Sequence, residues 1–323
     1  MNAQKQPLIV IVGPTACGKT ALAIALAQRL RGEIVNADSR QIYRHMDIGS
    51  AKPTDEEQKQ AKHHLIDIVN PDERFTLHDF QHAAKQAIYG IAAAHKVPLL
   101  AGGTGLYVQS IADGLQIPAA PPDYEQRQKW EELAKTHGAE ALREILRQLD
   151  PDAAVNIPAA NIRRVIRALE IVQTSGQPLS AQRKMGQDEF ICLKLGLNTD
   201  RAMLYTRADT RIDGMMQLGL VEETAQLLQK GYDWSLPSMS SLGYRQMGEY
   251  LRGERTLADA VQLMKFATHD FIRRQLTWFR RDSAIHWLDA ADPNLVETAA
   301  EIVNSFLSSA EIKDELSQID LSS

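Results

Sequence analysis

Residues 8–12 form a short unbroken apolar run that ends in a glycine-rich turn, and residues 19–30 follow with alanines and leucines at helical spacing. The alternation then repeats. Residues 33–37 read as a second short strand closed by Asp38. Residues 75–95 read as a helix with Phe80, Ala84, Ala87, Ile88 and Ile91 at helical spacing, and 97–101 as a buried strand running into Gly102-Gly103-Thr104-Gly105. Apolar strands interleaved with helices predict a parallel sheet covered on both faces. At Ile117 the pattern changes. Pro118, Pro121 and Pro122 mark a linker, and 123–184 carries helical signals alone, with helices over 123–136, 139–149 and 161–174. Strand character returns at 190–197, followed by mostly helical stretches at 201–230 and 256–280, a last strand at 284–288 and a terminal helix at 293–307. The expectation is an α/β core of residues 1–117 and 190–307, an inserted all-helical domain at 118–189, and an acidic tail at 308–323 that frays.

Composition narrows the class. With 323 residues, 44% hydrophobic and 24% charged, the chain can bury a main core and a smaller one, and a fibre, a disulfide scaffold or wholesale disorder is excluded. Cys17 and Cys192 are too few for a Cys₂His₂ or Cys₄ zinc site, and they suit a reduced, cytoplasmic setting. No apolar run is long enough to span a bilayer. The net charge of −5 alone argues against a nucleic-acid partner. Its distribution reopens the question: residues 282–323 carry nine acidic side chains and one lysine, which leaves the rest of the chain net positive. Arg163, Arg164 and Arg167 form one basic cluster, and Arg273, Arg274, Arg280 and Arg281 another.

The strongest local signal is Gly13-Pro14-Thr15-Ala16-Cys17-Gly18-Lys19-Thr20, which fits G-x-x-x-x-G-K-[ST] between a strand and a helix. Glycines let backbone N–H groups turn inward around a phosphate, the helix start adds partial positive charge, and Lys19 supplies a point charge. Thr20 offers a hydroxyl ligand to Mg²⁺, which favours oxygen donors. The fold expected is therefore P-loop NTPase-like. A nucleotide hydrolase would show an apolar strand ending in Asp. Here the 97–101 strand ends in Gly102-Gly103-Thr104, and the Asp follows a different strand, in Ala37-Asp38-Ser39. A small-molecule or nucleotide kinase stays open on these residues.

The phosphate loop, Asp38-Ser39-Arg40-Gln41-Ile42-Tyr43, Met46-Asp47-Ile48-Gly49-Ser50-Ala51-Lys52-Pro53, His64-Leu65-Ile66-Asp67, Gly102-Gly103-Thr104-Gly105-Leu106-Tyr107 and Gly243-Tyr244-Arg245-Gln246, in this order, resemble the tRNA dimethylallyltransferase family over residues 8–289. Cys17 and Ser50 depart from the Ser and Thr common there, and neither change removes a charge. The resemblance implies transfer of a dimethylallyl group from its diphosphate to the exocyclic amine of the adenosine just 3′ of a tRNA anticodon, on a phosphate-loop α/β domain with a helical insertion.

For that reaction, charge must be neutralised on the departing diphosphate, a task for Lys19, the loop amides and Mg²⁺ on Thr20. The acceptor amine is a poor nucleophile, and Asp38, at a strand end beside the loop, is the candidate general base. Family position makes Thr104 a contact to diphosphate and substrate and Arg211 a second diphosphate clamp, with Arg207 a weaker one. Ser39, Arg40 and Gln41 can read an adenine turned out of its stack. Arg163 and Arg167 share a helix face, and family position sets them, Arg164 and Arg127 on the tRNA. Ser240, Gly243, Tyr244 and Arg245 offer a flexible turn, a ring and a guanidinium to the RNA. Each of these has a bland reading beside it: a solvated basic face for the arginines, buried core for Tyr244, and a capping residue for Thr104. The adjacent His63 and His64 read as packing or capping residues. The partners expected are tRNA and dimethylallyl diphosphate, with no membrane, and the protein is expected to act as a monomer.

Overall fold

The computed structural model describes residues 5–117, 123–182 and 189–309. The proline linker at 118–122 and the tail from 310 onward lie outside the described residues. The chain divides into two compact units, Met1–Ala112 with Asp188–Ser323, and Asp113–Gln187.

In the first unit the elements are β1 (Gln6–Val12), α1 (Lys19–Arg29), β2 (Glu33–Asn36), α2 (Asp55–Gln60), β3 (His63–His64), α3 (Leu77–Ala93), β4 (Pro98–Gly102) and α4 (Gly105–Ala112). The second unit holds α5 (Tyr124–His137), α6 (Ala139–Leu149), α7 (Pro151–Asn156), α8 (Ile162–Ser175) and α9 (Leu179–Gln182). The first unit then resumes with β5 (Phe190–Asn198), α10 (Arg201–Gln217), α11 (Leu220–Gln229), α12 (Tyr244–Leu251), α13 (Leu257–Phe279), β6 (Ile285–Asp289) and α14 (Leu295–Leu307).

The six strands form one sheet in the order β3-β2-β4-β1-β5-β6, and every pairing is parallel. The central strand explains why its sequence shows no polar alternation. Ile9 and Ile11 pack into a core with Leu22, Leu26 and Ile272, whereas Leu8, Val10 and Val12 pack into another with Phe80, Ile88 and Ile111. Both faces of β1 are thus dry, as a parallel sheet clothed in helices requires. Because β2, β4 and β1 are neighbours, the loops at their carboxyl ends emerge side by side. These loops carry Asp38, Thr104 and the phosphate loop.

Several elements differ from the sequence expectation. His63 and His64 form β3 at the sheet edge. The mostly helical stretch expected at 201–230 is two helices, broken at Gly219, whose φ of 97° no ordinary helix accommodates. Residues 244–251, read in part as a flexible turn, begin a helix instead.

The helical unit has its own core of Trp130, Leu142, Leu146, Val165 and Leu169. Buried Asp150 ties its C-terminal part together. The carboxylate accepts the Ala153 N–H at 3.0 Å and caps α7, and it also accepts the Ser180 N–H at 2.9 Å and hydroxyl at 2.7 Å. These bonds hold its pKa below the ordinary carboxylate value, although burial pushes the other way.

Candidate active site

A cavity of about 720 Å³ opens in the first unit where these loops meet. The phosphate loop forms one end. Gly18 stands at φ 92° as the cap of α1, and no side chain caps that helix, so its first amides are left for an anion. Lys19 Nζ donates to the Pro14 carbonyl at 2.7 Å, which folds the ammonium over the loop and leaves it further N–H donors. Thr15, Lys19 and Thr20 line the cavity. Gly13, Pro14, Ala16 and Cys17 supply the loop's backbone path, and Cys17 is buried beneath it.

Asp38 and Thr104 approach from the neighbouring strands. The Thr104 N–H donates to the Ala37 carbonyl at 3.1 Å, and Thr104 Oγ1 accepts the Ser39 N–H at 3.0 Å. The turn after β4 is thereby tied to the residues flanking Asp38. Asp38 Oδ1 accepts the Arg40 N–H at 2.9 Å, and among the described residues nothing bonds Oδ2, which suits a proton acceptor. Arg40 in turn donates to the Pro237 carbonyl at 3.1 Å.

Arg211 on α10 also lines the cavity. Its guanidinium is open to the cavity yet walled by protein. Loss of water draws its pKa down from the ordinary arginine value, while the carboxylates of Glu57 and Asp38 pull it back up. It has no ion-pair partner among the described residues, a state suited to a diphosphate. Ala208, Ile212 and Met215 add an apolar wall beside it.

The cavity wall that carries Gln41, Gly49, Ser50 and Ala51 is held by contacts within residues 41–67 and by Glu223 from far along the chain. Lys52, 4% exposed in its side chain, bonds the Tyr43 carbonyl at 2.9 Å and ion-pairs with Asp47 and with Asp67. Glu223 on α11 accepts the N–H groups of Asp47, Ile48 and Gly49 at 2.9, 2.8 and 3.1 Å. Gln41 donates to the carbonyls of Ser50 and Ala51 at 3.3 and 2.9 Å. Gln41 lines the cavity, but its amide nitrogen serves this wall.

The structure corrects the expectation for Tyr244. Its side chain is fully buried, and its hydroxyl donates to Glu223 at 2.6 Å, so the ring packs in the core and is not offered to RNA. Gly243 is buried beside it, whereas Ser240 and Arg245 are exposed and line the cavity. His63 also lines the cavity, with Nδ1 2.8 Å from the Ala61 carbonyl, and burial lowers its pKa.

In the helical unit, Arg163 and Arg164 are exposed on α8. Arg127 and Arg167 are committed elsewhere. Arg127 holds Glu170 through Nε at 2.5 Å and Nη2 at 2.7 Å, and Arg167 reaches the same carboxylate at 3.2 Å.

The sequence reading singled out Arg274, in its second basic cluster, but missed the rest of the cavity stripe of α13. Ala267, Thr268, Phe271, Arg274, Gln275 and Trp278 all line the cavity. Their spacing of three and four is the signal that could have found them.

Residues 41–282 match the IPP transferase family, and residues 6–74 the isopentenyl transferase family. The chain is 47% identical over 301 residues to the tRNA dimethylallyltransferase of Roseiflexus sp. (strain RS-1), a match covering 93% of this chain and 99% of that protein. It is 52% identical over 274 residues to the tRNA dimethylallyltransferase of Chloroflexus aggregans, covering 85% and 93%. Its structure resembles the tRNA isopentenylpyrophosphate transferase of Bacillus halodurans, with a TM-score of 0.71 and 38% identity, over 97% of this chain and 100% of that one. It also resembles a eukaryotic dimethylallyltransferase acting on tRNA, with a TM-score of 0.80 and 26% identity, over 97% and 84%. The P-loop NTPase-like α/β fold expected from the sequence is the fold of these neighbours.

Proposed function

The chain belongs to the IPP transferase family, and we propose that it transfers the dimethylallyl group of dimethylallyl diphosphate to the exocyclic amine of the adenosine just 3′ of the anticodon in tRNA, releasing diphosphate. The observation that carries this reading is the single cavity in which the phosphate loop, Arg211, Asp38 and Thr104 meet beside an apolar wall. A diphosphate with a hydrocarbon group needs both kinds of surface.

The diphosphate lies against the α1 amides, Lys19 and Arg211. As the C1–O bond breaks, its electron pair goes to the diphosphate oxygen, where these donors stabilise it. The amine nitrogen forms the new bond to C1 and gives up a proton, which Asp38 accepts through Oδ2. Thr104 orients the groups, because its hydroxyl is fixed against the Ser39 amide. The donor set suits Mg²⁺. Among the described residues no cluster of three or more His, Cys, Asp or Glu occurs, so the ion would rest on the Thr20 hydroxyl, a carboxylate and substrate phosphate oxygens, the mode this cation favours. When bound, it adds charge neutralisation at the leaving group.

Ser39, Arg40, Ser240 and Arg245 border the adenine, and Arg163 and Arg164 contact tRNA phosphates. The protein acts as a monomer in the cytoplasm; no helix among the described residues is long and apolar enough to cross a membrane.

The test is incubation with labelled dimethylallyl diphosphate and either unmodified tRNA or AMP, with labelled ATP in a parallel arm. Label on tRNA from the prenyl donor is expected. Label on AMP, or phosphoryl transfer from ATP alone, would replace the reading with a free-nucleotide prenyltransferase or a kinase.

A further inference from the structure

Gln275 sits on α13 with 5% of its surface exposed and touches two loops at once. Its Oε1 accepts the N–H of Thr15 in the phosphate loop at 2.8 Å. Its Nε2 donates to the carbonyl of Gly103, just past β4, at 2.9 Å. The partners fix the orientation of the carboxamide, since an N–H can face only its oxygen and a carbonyl only its nitrogen.

The position of this bridge matters. Pairing between β1 and β4 ends at Val12 and Gly102. Beyond that rung the two loops diverge, one to bind the donor and the other to present Thr104 beside Asp38. The Gln275 carboxamide continues the pairing where the backbone ladder stops. The fit is close, for a methyl on Gly103 would lie 2.3 Å from Nε2. Few groups can do this work. Asn is one methylene shorter, Glu lacks the donor, and an apolar side chain strands both Thr15 N–H and Gly103 C=O.

We propose that Gln275 is a positioning residue that sets the separation between the phosphate loop and the Gly103–Thr104 turn, and so between the bound diphosphate and the attacking amine. The proposal rests on the transfer reaction above. It assigns α13 a catalytic consequence although Gln275 itself touches no reacting atom. A loosened bridge lets the donor and acceptor halves drift apart, and a misplacement on the order of 1 Å can cost roughly 100-fold in rate.

The experiment compares the wild-type protein with Gln275→Leu and Gln275→Glu. It measures single-turnover transfer at saturating substrates, equilibrium affinity for tRNA, and affinity and stoichiometry for inorganic pyrophosphate. In Gln275→Leu we expect transfer to fall about 10- to 100-fold, with tRNA affinity within about threefold and pyrophosphate affinity lowered about three- to tenfold. Gln275→Glu keeps length and the acceptor for Thr15 but turns an oxygen toward Gly103. It should lose rate likewise, and it carries the comparison if the leucine variant does not fold. Rates within twofold of wild type overturn the proposal. A loss that merely tracks the fraction of molecules able to bind pyrophosphate also overturns it, because the residue would then be structural only. If wild type itself transfers nothing to tRNA, the transfer reading fails, while the pyrophosphate comparison still decides whether Gln275 shapes the loop.

Discussion

In α8, Arg167 reaches a Glu170 carboxylate that is 1% exposed and already carries Arg127 on two hydrogen bonds; in α10, Arg211 faces the cavity with no ion pair among the described residues. The two settings put the same guanidinium to opposite uses. In the helical unit a buried carboxylate would be costly alone, and two arginines neutralise it, so their charge is spent on the fold. In the cavity Arg211 is exposed and has no ion-pair partner among the described residues, and that unmet charge is what a diphosphate can satisfy. A basic cluster is therefore no guide to an anion site until the carboxylates around it are known.

The largest effect should come from the carboxylate that is itself left unpaired on one oxygen. Asp38→Asn keeps an acceptor for the Arg40 N–H but cannot take a proton. Turnover should fall ~10²–10⁴-fold with tRNA affinity within a few fold. Single-turnover kinetics check this, and normal turnover would make Asp38 a positioning group.

Arg211→Gln and Arg127→Gln test the contrast directly. The first should weaken dimethylallyl diphosphate binding ~10- to 100-fold at nearly unchanged melting temperature. The second should leave donor affinity alone and cost roughly 2 kcal/mol of stability, less than for a fully stranded charge because Arg167 remains on Glu170. Calorimetry and thermal melts on both variants suffice. If Arg127→Gln weakened donor binding while its stability held, the contrast would collapse.

A second group of spent charges makes a pH prediction. Glu33 is buried, which by itself would raise its pKa, but hydrogen bonds from Lys96, His64 and Lys62 outweigh burial and bring it to about 2 from 4.5. A carboxylate whose folded pKa is depressed adds stability that is complete above its ordinary pKa and lost as pH falls toward the folded value. Glu33→Gln should thus flatten the loss of stability between pH 4.5 and 2, by roughly 2 kcal/mol given that the Lys62 side chain is mostly exposed and that of Lys96 nearly half exposed. Denaturation midpoints across that range provide the check, and an unchanged acid slope would show that other groups carry it.

The smallest effect concerns Arg163, exposed on α8 and, unlike Arg167, unpaired among the described residues. Arg163→Ala should weaken tRNA binding a few fold and reduce its salt slope by about one, with the rate at saturating tRNA unchanged. Binding titrations at several salt concentrations decide it.

Much of this arrangement was legible in the chain. The apolar run before Gly13, the spacing from Gly13 to Thr20 and the Asp after a second strand are local patterns, and local patterns reflect backbone chemistry. Parallel strands buried on both faces need continuous apolar runs, and a phosphate loop needs its glycines and lysine at fixed intervals, whatever surrounds them. So the α/β fold, the loop and the candidacy of Lys19 and Asp38 follow from the order of residues. What depended on tertiary contact was how each polar group is employed. Tyr244 reads as an exposed ring until Glu223 takes its hydroxyl, and Arg127 as a free cation until Glu170 takes its fork. Gln275 reads as one more polar residue on a long helix, yet it lies 260 positions from Thr15 and 172 from Gly103 and bonds both. Hydrogen bonds and ion pairs between such distant residues are set by packing, and the energy of a buried polar group depends on its partner; composition and spacing carry no record of which partner it meets.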